Sequence, residues 1–323
     1  MFNLVMILSA LVLLLQTKDV TAHGIADMPV NPVLGVPGFP DCERAHPELR
    51  LSVEDAAQDL ICHQKGDASA IKIGCVGDSI TAGVHSSGGI HPYPAQLQLM
   101  LDASEGKGKY AVTNMGACGS MMLKNSSSPF WLRPQFKTLI ANKWDIVTIM
   151  LGTNDAHNDC NEPASRKGCT SDWTKDCGGP NNTSLNNCTF ADDFASMVNL
   201  IKTLGTTPAG PKIYVMVPPP LMATYNPWPT MQTTINTLFP KLIPLMQAAT
   251  KGVQSPPIDV YTGMGGTPDW KGKFPASCAL NSPWGPCAWW CDHQSCDQCH
   301  PDDNGYTHLA KVVYSGLGFG KGR

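Results

Sequence analysis

The stretch Ile71-Lys-Ile-Gly-Cys-Val-Gly-Asp-Ser-Ile-Thr-Ala-Gly83 puts a serine where a hydroxyl can do chemistry. Ile71 to Val76 is apolar, too short for a helix and rich in β-branched residues, so it reads as a buried strand. Ser79 follows its C-terminal end, with glycines close by to permit a sharp turn. In an open α/β sheet that edge is where a nucleophile becomes exposed. Serine is also a common helix cap, so this stretch alone leaves two readings, nucleophile or cap of the next helix. A hydroxyl that attacks an acyl carbon needs a base to take its proton. The base needs an orienting partner, and the oxyanion needs fixed donors.

Those groups must be carried to one edge by the elements that follow. The spacing predicts a helix over Pro92 to Ala103 and a second strand over Tyr110 to Asn114, which ends in the small-residue turn Asn114-Met-Gly-Ala-Cys-Gly-Ser120. A helix over Pro134 to Asn142 precedes the clearest strand, Asp145 to Leu151, which runs into Gly152-Thr-Asn-Asp155. Its unbroken hydrophobicity suits a central parallel strand covered on both faces. Thr189, with Asp192 three residues on, has the spacing of a capping box. Phe190, Phe194, Met197, Val198 and Ile201 then mark one helical face. A fourth strand is expected over Lys212 to Val217 and a fifth over Pro257 to Tyr261. Between them, Pro229 to Lys251 reads as helix kinked or broken at Pro240 and Pro244. From Gly305 a last helix places Tyr306, Leu309, Ala310 and Val313 on one face. Strands alternating with helices give an α/β fold, a doubly wound, five-stranded parallel sheet with helices on both faces.

At 323 residues and 42% hydrophobic the chain can bury a large single core, and a net charge of −3 gives no nucleic-acid footprint. Leu4 to Gln16 has the length of a secretory apolar segment, with small residues at Val20-Thr21-Ala22. Residues 1–22 are therefore expected to be a signal peptide directing the chain out of the cell, the alternative being an uncleaved anchor. Residues 23–70 read as an N-terminal extension and 71–318 as the main domain, with Cys-rich insertions at about 157–189 and 278–299. No later segment reads as a membrane span. Thirteen cysteines in an exported chain allow up to six disulfides and one thiol, for which buried Cys75 is the candidate. Glycosylation acceptors stand at Asn125, Asn181, Asn182 and Asn187.

Gly77-Asp78-Ser79-Ile80-Thr81, Gly116, Gly152-Thr153-Asn154-Asp155 and Asp297-Gln298-Cys299-His300-Pro301 occur in the order in which they occur in the SGNH (GDSL-type) hydrolases, and the chain resembles that family over about residues 70–315. The resemblance implies a flavodoxin-like three-layer sandwich and a serine esterase with no cofactor and no metal. It implies Ser79 as nucleophile, His300 as general base and Asp297 as the group that orients it. Backbone N–H groups of Ser79 and Gly116 and the side chain of Asn154 would form the oxyanion hole. A neutral amide suits that place, because it stabilises developing negative charge without competing for the serine proton. Other readings exist: Gly116 and Asn154 as ordinary turn residues, and Asp297 or Asp302 as the cap of the last helix. His293, beside Asp292, competes with His300 but lacks the following proline and helix. Asp78 and Asp155 read as structural, bonding loop backbone.

Cys287, Cys291, Cys296 and Cys299 with His293 and His300 also have the residue types of a zinc cluster, but export favours disulfides. The segments Pro129 to Pro134, Asp145 to Asp155 and Lys212 to Pro220 resemble the branch of the family associated with carbohydrate acetyl esters. Trp284, Trp289 and Trp290 could stack on sugar rings or form the small core of their loop. The expected substrate is an acylated carbohydrate or other small ester, with no nucleic-acid partner. A lipase or phospholipase is the second reading, and a silent glycan-binding protein the third.

Overall fold

A computed structural model describes residues 69–87, 89, 91–157, 173–179, 181–221, 229–267, 289–290 and 299–320. Asp297, the expected signal peptide and most of the N-terminal extension lie outside the described residues, as do His293, Trp284, Cys160, Cys169, Cys278, Cys287, Cys291 and Cys296.

Strand β1 (Ile71–Gly77) runs into the short helix α1 (Ser79–Ala82), followed by α2 (Tyr93–Glu105) and β2 (Tyr110–Gly116). Next come α3 (Pro134–Ala141), β3 (Ile146–Met150), α4 (Trp173–Asp176), α5 (Thr189–Ile201) and β4 (Lys212–Val217). Then follow α6 (Pro229–Thr233), α7 (Phe239–Ala249), β5 (Ile258–Asp259), α8 (Val260–Gly263) and α9 (Asp303–Gly316). The five strands are parallel, in the order β2-β1-β3-β4-β5. This is the doubly wound sheet expected from the alternation of elements. The chain lays β2 on one side of β1 and β3 on the other, so the switch point, where open α/β sheets bind ligands, lies at the C-terminal ends of β1 and β3. Gly77 is level with Gly116 on one neighbour and with Met150 on the other, so the turns after all three strands open on one edge.

Alternation along the strands fills two cores. Val76, Met115, Val147, Ile149, Ile213 and Val215 face α5 and α7, whose Phe194, Met197, Phe239 and Leu242 cover them. Ile73, Cys75, Met150 and Met216 face α2 and α9, covered by Leu97, Leu101, Tyr306 and Leu309. A sheet apolar on both faces must be covered on both, which is why the strands lack a polar side.

Three boundaries differ from expectation. Cys188, not Thr189, is the N-cap of α5, and no side chain caps that end. The Cys177–Cys188 disulfide fixes the entry one residue earlier, and the Cys188 carbonyl accepts the Asp192 N–H at 3.1 Å. The fifth strand is only Ile258–Asp259, because Asp259 Oδ1 accepts the Thr262 N–H at 2.9 Å and starts α8. Finally, the long helical region passes from α6 to α7 through a π turn, Thr234–Leu238. Pro240 has no N–H to offer the Asn236 carbonyl. The Tyr261 hydroxyl donates to that carbonyl instead, at 3.1 Å.

Cys75, the expected unpaired thiol, is free and fully buried, and burial pushes its pKa up to about 11. No helix among the described residues is long and apolar enough to cross a membrane. Asn125, Asn181, Asn182 and Asn187 are all exposed.

Candidate active site

Asp78, not Ser79, caps α1: its Oδ1 accepts the Ile80 N–H at 3.0 Å. The serine is thereby left as the first residue of the helix with its hydroxyl uncommitted to the backbone. Gly77 is required just before it, since a Cβ there would sit 1.9 Å from Thr81 Oγ1 and 2.9 Å from the Met150 carbonyl.

His300 comes to the same point from the far end of the chain. Its Nε2 lies 2.8 Å from Ser79 Oγ, and the two residues are 2% and 4% exposed. An imidazole protonated at Nδ1 accepts the serine proton at that distance. An isolated antiparallel bridge between Trp290 and Pro301 and a 3.0 Å bond from the Asp302 N–H to the Trp289 carbonyl hold the segment. Asp302 caps α9 by accepting the Gly305 N–H at 2.8 Å. Trp290 is buried in the core beside α9, and Trp289 stacks on His308 with ring centroids 3.7 Å apart, so both serve as packing.

Gly116 lies against α1. A Cβ on it would stand 2.0 Å from the Ala82 nitrogen, so only glycine lets β2 approach α1 this closely. Its N–H is bonded to Asn114 Oδ1 at 2.9 Å. As an oxyanion donor it would share or exchange that partner. Asn154 is buried, and its Nδ2 donates to the Ser120 carbonyl at 3.0 Å. One of its two amide hydrogens thus orients the group and the other is left for a ligand.

Two carboxylates lie beneath. Asp155 accepts the N–H groups of Met122 and Leu123, each at 2.9 Å, and so shapes the turn that presents the Ser120 carbonyl. Burial nevertheless pushes its pKa up to about 7, against those two bonds and with the Asp78 charge adding to the rise. Burial also raises Asp78 to about 6, opposed by the Ile80 N–H and the nearby Thr153 hydroxyl and His300. The Asp78 Oδ2 has no hydrogen bond of good geometry, so the Thr153 hydroxyl faces it only loosely. Among the described residues no group of three or more His, Cys, Asp or Glu is placed to hold a metal ion.

Two neighbours of the site were not foreseen. Asn114 makes the Asx turn that engages Gly116, which its Asn-x-Gly spacing could have suggested. His85 packs its ring against His300, and no sequence signal pointed to it.

Residues 75–308 match the GDSL-like Lipase/Acylhydrolase family. An acetylxylan esterase of Xylanibacter ruminicola is 27% identical over 214 residues, covering 60% of this chain and 37% of the relative. The match therefore spans little more than a third of that relative's length. Among solved structures, the native M. smegmatis aryl esterase is 18% identical with a TM-score of 0.46, over 77% of this chain and 98% of that one. A carbohydrate acetylesterase family member from Sinorhizobium meliloti is 18% identical with a TM-score of 0.44, over 77% of this chain and all of the other (100%). With well over half of its length matched, the chain belongs to the GDSL-like lipase/acylhydrolase family.

Proposed function

We propose that this protein is an exported serine esterase that releases small acyl groups, acetyl foremost, from carbohydrate esters. The observation that carries the proposal is the buried 2.8 Å contact between Ser79 Oγ and His300 Nε2 at the switch point of the sheet. Ser79 Oγ attacks the ester carbonyl carbon while its proton passes to His300 Nε2. The oxyanion is held by the N–H groups of Ser79 and Gly116 and the free amide hydrogen of Asn154. Collapse breaks the bond to the sugar oxygen, which takes the proton from His300 and leaves as an alcohol. Water then gives a proton to His300 and its oxygen to the acyl carbon, and the acyl–Oγ bond breaks as His300 returns that proton to Ser79 Oγ and the carboxylic acid departs. Asp297 is assigned the orientation of His300 and stabilisation of the imidazolium. The acetyl preference is supported by the acetylxylan esterase relative. Export is supported by the Cys177–Cys188 disulfide and the exposed glycosylation acceptors.

The test is hydrolysis of p-nitrophenyl esters of graded chain length, followed by acetate release from acetylated polysaccharides, by wild type and Ser79→Ala. Turnover that is greatest for acetate and lost in the variant is expected. A preference for long chains would replace the acetyl reading with a lipase, and equal inertness of both folded proteins on every ester would overturn the esterase.

A further inference from the structure

The disulfide-closed segment ahead of α5 sends one large side chain into the molecule. Trp173, the first residue of α4, is 1% exposed, and its indole N–H donates to the Asp155 carbonyl at 2.9 Å. Its ring stacks on Phe190, with centroids 4.9 Å apart, and on Phe239, with centroids 5.9 Å apart. Both separations are in the contact range for aromatic pairs. Phe239 in turn lies against Gly152, where a Cβ would stand 2.8 Å from its Cζ. The φ of 135° at Gly152 is one that glycine adopts freely.

The turn after β3 is therefore held at both ends, by Phe239 at Gly152 and by Trp173 at Asp155, and the Ala156 N–H closes it on the Gly152 carbonyl at 2.9 Å. Asn154 stands inside that turn. Its Nδ2 donates to the Ser120 carbonyl, while the carboxylate of Asp155 accepts the Met122 and Leu123 N–H groups. A shift of the Asp155 backbone would thus move the amide and its Ser120 partner together.

A helix of four residues does not fix an indole by itself. The Cys177 N–H donates to the Trp173 carbonyl at 3.0 Å, and the Ser184 N–H donates to the Cys177 carbonyl at 2.8 Å. The buried Cys177–Cys188 disulfide then ties α4 to the N-cap of α5, two residues before Phe190. The bridge joins the segment that carries Trp173 to the helix that carries its stacking partner.

We infer that Trp173 is a positioning residue for the amide of Asn154, braced through the Asp155 carbonyl and through Phe239. This rests on the esterase reading of the site. The disulfide-closed segment is then part of what holds the oxyanion rather than a surface decoration.

The experiment is a double-substitution cycle of Trp173→Phe and Asn154→Ala, with Trp144→Phe as control, read by p-nitrophenyl acetate kinetics and by thermal unfolding. Trp144 is also 1% exposed and donates its indole N–H to the Leu139 carbonyl at 3.0 Å, but it stands just before β3 begins, at the opposite end of that strand. Phenylalanine at 173 keeps a stacked ring and removes the N–H. Its kcat should fall roughly three- to thirtyfold with KM little changed. Trp144→Phe should lose a similar Tm and keep kcat within about twofold of wild type. In the Asn154→Ala background, Trp173→Phe should cost less than about twofold, because the group it positions is gone. A Trp173→Phe kcat within about twofold of wild type, or an equal loss in both backgrounds, would overturn the inference and leave the esterase standing. So would an equal kcat loss in Trp144→Phe. If Trp173→Phe does not fold, Phe190→Leu, which unstacks the indole, takes its place in the cycle with the same outcomes. A wild type inert on every ester would overturn the esterase and this inference together.

Discussion

Asn154 gives one amide hydrogen to the Ser120 carbonyl, and the proposed mechanism assigns the other to the oxyanion. Removing one such donor from an oxyanion hole costs about 10²–10³ in kcat. Asn154→Ala should show that loss with little change in KM, and a loss below tenfold in steady-state kinetics would remove Asn154 from the donors. The buried carboxyls make a different demand. Asp78 and Asp155 have folded-state pKa values raised to about 6 and about 7 from an ordinary 3.8. Between those values the native state holds protons that the unfolded chain has released. Their contribution to stability is therefore fully present below about pH 4 and is lost as pH rises through 6 to 7. For each group the change is on the order of a few kcal/mol. Urea midpoints of wild type and Asp155→Asn between pH 4 and 8 should show a shallower decline in the variant. Asparagine also loses one of the two acceptors for Met122 and Leu123, so the slope is the informative quantity and parallel slopes would refute this account.

The spacing of elements around α1 is set by two glycines that leave no room for a side chain. Gly116→Ala would drive a methyl into the backbone of Thr81 and Ala82 and push α1 off β2. Esterase activity should fall at least about a hundredfold, since small misplacements of reacting groups cost that much. Gly119→Ala is the control: φ is 69° there, but nothing lies within 4 Å of the added methyl, so only about 1–2 kcal/mol of backbone strain is expected. Activity and Tm of the two variants separate a steric role from a conformational one. The strands and the apolar faces of α5 and α9 were legible in the sequence because burial on two faces leaves continuous or 3.6-periodic hydrophobic patterns. The Ser79 and His300 pairing was legible because each follows a marked strand end or precedes a marked helix. The start of α5 was not, because a disulfide partner in space outranked a local capping pattern at Thr189. His85 was illegible for a related reason: the ring it packs against is delivered by residue 300, and local sequence carries no trace of that.

Viewed as a whole, the molecule offers glycan acceptors on its outer surface and a site on one edge of a buried sheet. If the chain is exported, protein recovered from a secretory host should lose mass on enzymatic removal of N-linked glycans. Quadruple replacement of Asn125, Asn181, Asn182 and Asn187 by Gln should abolish that shift, and a mass equal to the bare sequence in wild type would count against export through such a route. The contact between Ser79 and His300 closes across 221 positions of sequence. At synthesis rates of 5–20 residues per second, His300 leaves the ribosome roughly 10–45 s after Ser79. During that interval β1, β2 and β3 can assemble around Ser79 before His300 exists, so on the proposed mechanism the nascent chain would be inert. On the proposed mechanism, catalytic competence is coupled to the docking of the last helix, and the onset of esterase activity would be a clock for the completion of folding.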